Sequence, residues 1–193
     1  MAALEAVAVG ITVFAATNVD DVLLLSAFFA QPRRRVSAIV TGQFLGIGAL
    51  TAASAVAALA ALVIPREWIA LIGVIPLALG IRQLLARPDE DNVQAHNGAG
   101  VFAVAAVTVA NGGDNLGVYI PLFASQPAAI PVYVVVFALG TAVWCAAGYA
   151  LVSHPAVAAR FQRYGHRVLP WVLIALGVYV LSGATPLLGV SKA

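Results

Sequence analysis

The 193-residue sequence predicts an all-α membrane protein: six transmembrane helices forming two inverted three-helix repeats, with helices 1 and 4 broken near the midplane. Three observations carry this expectation. The chain is 62% hydrophobic and 9% charged, with a mean hydropathy of +0.99, too little polarity to cover a soluble domain of this length. Its apolar residues gather into six blocks. Two polar signatures of the form Asn-x-x-Asp, Asn18-Val19-Asp20-Asp21 and Asn111-Gly112-Gly113-Asp114, recur 93 residues apart inside the first and fourth blocks.

The blocks cover residues 4–30, 36–64, 68–86, 100–124, 131–152 and 168–188. Each approaches or exceeds the ~20 residues that cross a ~30 Å hydrocarbon core as a helix. The first follows Met1-Ala2-Ala3-Leu4-Glu5, which lacks the basic start of a signal peptide, and it is too long for a signal's apolar region, so a retained span is expected. The second carries Gly42-x-x-x-Gly46, a spacing that lets helices approach closely, with Gln43 as either an extra oxygen ligand or a polar packing group. The third holds the sole intraspan base, Arg82, near its cytoplasmic end. In the fourth, Gly112-Gly113 and Pro121 weaken helical continuity around Asp114, freeing backbone groups that are tolerable only in a cavity or against protein. Gly113-x-x-x-Gly117 is read as plain packing. The fifth contains Cys145, whose single thiol cannot build a thiolate cage and reads as a small packing residue.

Sidedness follows from the basic residues. Arg33, Arg34, Arg35, Arg82, Arg87, Arg160, Arg163 and Arg167 fall on one side of a six-span topology, against Arg66 and Lys192 on the other. This bias marks the first side as cytoplasmic and both termini as external. The pI near 9.0 has the same origin, reflecting topology and anionic lipid rather than nucleic acid. Residues 87–98, with Asp89, Glu90, Asp91 and His96, read as a hydrated cytoplasmic linker rather than a metal site. The linker divides the chain into a first repeat, residues 1–97, and a second, 98–193.

The halves align. Asn18 and Asp21 match Asn111 and Asp114 at an offset of 93, Gly46 matches Gly140 at 94, and Gly80 matches Gly177 at 97. Because each half has an odd number of spans, the second copy enters the membrane from the opposite side, the plan by which secondary transporters place a site between two broken helices. At 1.5 Å per residue, Asp20 and Asp21 lie about 15 Å from the inner end of span one, and Asp114 lies at a similar depth from the outer end of span four. A carboxylate at that depth costs about 2.5–3.5 kcal/mol, so three of them point to a bound ligand. With no base at the same depth, they must be protonated or neutralised by a cation that comes and goes. Carboxylate and amide oxygens suit hard to borderline divalent cations. In a regular helix Asn18 and Asp21 share a face, as do Asn111 and Asp114, while Asp20 points elsewhere unless the helix unwinds. His96, His154 and His166 read as interfacial residues, and Tyr119, Tyr149 and Tyr179 as packing residues with one satisfied hydrogen bond.

Asn18-Val19-Asp20-Asp21, Gly42-Gln43-Phe44-Leu45-Gly46 and above all Ala110-Asn111-Gly112-Gly113-Asp114-Asn115-Leu116-Gly117-Val118-Tyr119-Ile120-Pro121-Leu122-Phe123 resemble the signatures of the cadmium resistance transporter family, within the lysine exporter superfamily. The likeness extends across all six blocks. It implies efflux of cadmium or a similar divalent cation across a bacterial plasma membrane, and singles out Asp21, Asp114, Asp20, Asn18, Asn111 and Asn115 as the metal site. The expected partners are the cation, protons and the lipid bilayer, with no resident cofactor and room for a homo-oligomer. No nucleotide-binding or nucleophile motif appears, so a non-enzyme driven by an ion gradient is expected. Export of cationic amino acids and a non-transporting membrane scaffold are the competing readings.

Overall fold

The structure, a computed structural model, describes residues 2–31, 35–61, 74–85, 100–154, 171, 174–178 and 180–181. Every element among the described residues is helical: α1 (Ala2–Thr17), α2 (Val19–Phe29), α3 (Val36–Ala60), α4 (Val74–Leu85), α5 (Val101–Asn111), α6 (Gly113–Ser125) and α7 (Ile130–Leu151), the last entered through a single 3-10 turn, Pro127–Ala129. The 87–98 linker, Arg33, Arg34, Arg66, Arg160, Arg163, His166, Arg167, Tyr179 and Lys192 lie outside the described residues, as does most of the sixth block. Two segments, Val36–Ala60 and Pro127–Leu151, are straight helices of 25 residues, long and apolar enough to cross a membrane. The pairs α1–α2 and α5–α6 meet the same test as bent units, with kinks of 55° and 68°. The described residues thus supply two to four spans of a multi-pass, all-helical membrane protein.

Each kink rests on a single residue. Asn18 separates α1 from α2 with φ −115° and ψ 21°, and Gly112 separates α5 from α6 with φ −81° and ψ 23°. The backbone at Gly112 is open to any L-residue. The need for glycine there is steric, because the Leu50 side chain occupies the space a Cβ would take. Pro121, by contrast, sits inside α6 without ending it, as proline can in membrane helices where neighbours re-satisfy the freed carbonyl.

The straight helices run along the bent pairs. On α3, Gly42 abuts the Val101 carbonyl and the Val104 side chain, Gly46 abuts Thr108, and Leu50 covers Gly112, so α3 is parallel to α5–α6. A Cβ at Gly46 would fall 2.6 Å from that of Thr108, and the close approach expected of Gly42-x-x-x-Gly46 is therefore made here. Among the described residues no such approach is made at Gly113. Along α7, Gly10 meets Tyr133 and Val136, Gly140 meets Phe14, and Gly148 meets Leu25, so α7 is parallel to α1–α2. Two apolar clusters result. One gathers Phe14, Leu50, Tyr119, Phe123, Tyr133 and Phe137 beside α1 and α6; the other gathers Leu25, Phe28, Phe29, Ile39, Val104 and Cys145 beside α2 and α5.

Candidate functional site

Between the two clusters the kinks meet, and six of the nine buried polar side chains of the described residues are there: Thr17, Asn18, Asp21, Gln43, Thr108 and Asn115. Asn18 is fully buried. Its amide nitrogen lies 2.9 Å from the Phe14 carbonyl, 2.9 Å from Thr17 Oγ1 and 2.8 Å from Tyr119 Oη, and its oxygen accepts from Asn115 Nδ2 at 3.1 Å. The Asn18 backbone carbonyl accepts from the Trp144 indole. One residue at the first kink thus ties α1 to both α6 and α7.

The carboxylates sit on the other side of that kink. Asn111, the last residue of α5, donates from Nδ2 to Asp20 Oδ2 at 2.6 Å and reaches Asp21 Oδ1 at 3.4 Å. Gln43 donates from Nε2 to Asp21 Oδ2 at 2.7 Å and accepts from Thr108 Oγ1 at 2.7 Å. The kink at Asn18 is what turns Asp20 toward Asn111 beside Asp21, the exception under which Asp20 joins the site. Asp114, in the first turn of α6, accepts the Asn115 backbone N–H at 2.9 Å and is close enough to Asp20 and Asp21 for their charges to repel. Because residues 17 and 18 pair with 119 and 115 while 20 and 21 pair with 111, the two bent units cross antiparallel.

Burial grades across the site. Asn18, Asp21, Gln43, Thr108 and Asn115 are buried, Asp20 and Asp114 are half-buried, and Asn111 is exposed. The acids are therefore reached from the Asn111 side. No Lys, Arg or His occurs in α1, α2, α3, α5, α6 or α7, so the carboxylates have no base within these helices. Among the described residues no three of His, Cys, Asp or Glu are grouped to hold a metal ion. Any cation here must take amide, hydroxyl or backbone oxygens as well as carboxylates.

All six residues expected at the site lie at the crossing, and Gln43 joins them through Asp21. Sequence reasoning gives no role to Thr17, Thr108 or Trp144; the first two are intraspan hydroxyls within one turn of the Asn-x-x-Asp motifs, a usable signal, whereas Trp144 offers none. Tyr119 has two polar partners, Asn18 and Thr17, rather than one. Cys145 is buried among apolar side chains, as a packing residue would be. His154 is exposed just past α7, and Tyr149 lies edge-on to Phe29 at 5.4 Å.

A family model described as cadmium resistance transporter matches residues 14–188, which include both kinks and every site residue named above. The chain belongs to the cadmium resistance transporter family. Membership places it among metal-efflux transporters. No curated protein and no solved structure matches the chain.

Proposed function

We propose that this protein exports cadmium or a similar divalent cation across the bacterial plasma membrane in exchange for protons, with Asp21, Asp114, Asp20, Asn18, Asn111 and Asn115 as the cation site. The observation that carries the reading is the bridge from Asn111 of the second kink to Asp20 and Asp21 of the first. It joins both Asn-x-x-Asp motifs at one place, within helices α1, α2, α3, α5 and α6 that carry no Lys, Arg or His.

Chemistry supplies the rest. In the present arrangement the amides of Asn111 and Gln43 turn N–H groups toward the acids. A cation needs oxygens there, so loading requires these amides to rotate and offer Oδ1 and Oε1 in place of the donors. The cation then cancels the carboxylate charge that the amides only partly offset. When it leaves, protons must replace it, since an unpaired carboxylate at this depth is costly. Exchange of one for the other couples export to the proton gradient.

A six-span inverted repeat gives this site its means of alternating access. Its support is the matched packing of α3 along α5–α6 and α7 along α1–α2, with the bent units antiparallel to each other. The equivalence of Gly46 and Gly140, at 94 residues, extends to Leu50 over the second kink and Trp144 at the first. Residue 61 lies about 28 Å beyond the level at which α5 begins, at 1.5 Å per residue from Gly42. The segment holding α4 must therefore return across the bundle, which agrees with a third span. The arginine bias sets both termini outside.

Uptake of cadmium and zinc into inverted vesicles, with lysine as the control solute and a pH gradient imposed or collapsed, tests the proposal. Metal uptake that follows the gradient and is lost in Asp21→Asn and Asp114→Asn is expected; uptake of lysine, or metal uptake indifferent to both substitutions, would overturn it.

A further inference from the structure

Hydroxyls inside apolar helices have an easy partner in the carbonyl three or four residues back. This chain uses it repeatedly. Thr12 donates to the Ala8 carbonyl at 2.8 Å, Thr17 to Val13 at 3.0 Å, Thr141 to Phe137 at 2.7 Å, Ser26 to Leu23 at 2.7 Å and Ser125 to Leu122 at 2.8 Å. Thr108 donates to Gln43 instead, and two buried hydroxyls find no partner of either kind. Thr51 Oγ1 and Ser54 Oγ of α3 are buried with no partner among the described residues, and the third such side-chain atom is Asn115 Oδ1 of α6. Ser54 is wholly inaccessible and Thr51 is 6% exposed.

Thr51 and Ser54 lie about one turn apart on the buried side of α3, and Asn115 is buried in the first turn of α6. Ile47, Leu50 and Ala58, which interleave with Thr51 and Ser54 on the buried side of α3, belong to the same apolar cluster as Val118, Tyr119 and Leu122 of α6. The register along the seam takes Gly42 to Val101 and Val104, Gly46 to Ala105 and Thr108, and Leu50 to Gly112. One turn beyond Leu50, Ser54 lies past the second kink, on the stretch of α3 that follows the Leu50–Gly112 contact toward the first turn of α6, which holds Asn115. The partner half is built otherwise. At the offset of 94 residues Ser54 corresponds to Gly148, where a Cβ would lie 2.7 Å from that of Leu25 and 3.2 Å from the Val22 carbonyl, so that seam is closed by direct packing.

We infer that Thr51, Ser54 and Asn115 hold buried water in the seam between α3 and α6, a hydrated extension of the polar site on the α6 side of the kinks. Three neutral oxygens fall short of the six or so that a dehydrated hard cation requires. They match the two to four partners of a buried water. Since Asn115 Nδ2 is committed to Asn18, such water would extend the hydrogen-bonded chain from the kinks into the half where the aromatic cluster otherwise excludes it. The inference concerns hydration of the seam and stands whether or not the protein exports metal.

Cysteine reactivity tests it, because only a thiolate attacks a methanethiosulfonate and a thiol in a dry seam stays protonated. In a Cys145→Ala background, reconstituted into vesicles with a small charged methanethiosulfonate on both faces, Ser54→Cys and Thr51→Cys are compared with Val56→Cys, which at 68% exposure faces the lipid. Labelling of Ser54→Cys at least about ten-fold faster than Val56→Cys is expected. Equal rates would show that the two hydroxyls bond their own helix in a dry seam and would overturn the inference. Should Ser54→Cys fail to fold, the same comparison with Thr51→Cys decides the matter. A chain that labels at Ser54→Cys yet moves no metal leaves the hydration intact and sinks the transport reading alone.

Discussion

Replacing Asp21 by asparagine separates a transport site from a structural one, because it keeps the shape of the side chain and removes one charge. Asp21 is 2% exposed and is held by Gln43 at 2.7 Å and, more weakly, by Asn111 at 3.4 Å. In Asp21→Asn the new amide can still accept from Gln43 through its single oxygen, but it turns an N–H toward Asn111. Exchanging a charge-assisted hydrogen bond for a neutral one forfeits about 1 kcal/mol. Removing a carboxylate from this depth returns about 2.5–3.5 kcal/mol on insertion scales, and the repulsion from Asp20 and Asp114 disappears with it. The balance favours the variant by about 1.5–2.5 kcal/mol, a rise of several degrees in Tm for a chain of about this size. Cadmium at a hundred times its Kd should stabilise the parent by about 2.7 kcal/mol and the variant not at all. Melting with and without cadmium, beside uptake into inverted vesicles, reads both effects. A variant that melts lower than the parent and transports at the parental rate would refute the reasoning; the scaffold reading predicts the lower melting with no metal effect in either protein.

Other consequences follow from the same geometry. Gly112→Val should cost about 1–3 kcal/mol and reduce transport, since its side chain meets Leu50; the paired change Gly112→Val with Leu50→Ala should recover part of the loss in a melting assay. Tyr119→Phe removes the hydroxyl that accepts from Asn18 at 2.8 Å and should lower stability by about 1 kcal/mol while leaving the aromatic packing in place. Trp144→Phe strips the indole donor from the Asn18 carbonyl, and loss of transport greater than loss of stability would mark it as the residue that positions the first kink. Cysteines at Asn92 and Ser191 should be labelled from outside intact cells only at Ser191; labelling at Asn92 alone would invert the proposed orientation.

Much of this was legible in the sequence because membranes narrow the choices. Hydropathy dictated helices, and the straight spans fall largely within blocks 36–64 and 131–152. The cost of intramembrane carboxylates pointed to Asp20, Asp21 and Asp114 before any geometry existed, and Asn18 and Asn111 came with them by spacing. The kinks were harder. Gly112 announced the second break and the repeated Asn-x-x-Asp motif implied the first, but that the first falls at Asn18 itself depends on partners of its side chain and carbonyl across the bundle, in Tyr119, Asn115 and Trp144. Those partners are 97 to 126 residues away, beyond the reach of any local pattern. The hydroxyl partners Thr17 and Thr108 escaped for the same reason, since an intraspan threonine usually closes on its own helix.

The 94-residue correspondence between the halves also compares the two sides of the kinks. At an offset of 94 residues Gln43 corresponds to Phe137. Gln43 lies against the acids, holding Asp21 and receiving Thr108, whereas Phe137 packs on Tyr119 at a centroid separation of 4.4 Å and tilts against Phe14 at 5.5 Å. Two equivalent positions thus carry a polar group on one side of the kinks and an aromatic ring on the other. A symmetric pair of side chains would present the same surface to the cation in both directions. Here Asp20 and Asp21 of α2, Gln43 and the exposed Asn111 lie on the α2–α5 side, which the arginine bias would make cytoplasmic, and the ring cluster lies on the α1–α6 side. On the proposed export path a cation arriving from the α2–α5 side would meet oxygens at once, and its departure toward the other side would require Phe14, Tyr119 and Phe137 to part. Phe137→Ala should therefore open the aromatic side and let cadmium leak down its gradient without protons, whereas Phe137→Leu, which fills the space, should leak far less; a Phe137→Ala protein as tight as the parent in passive efflux from loaded vesicles would show that these rings do not form the barrier.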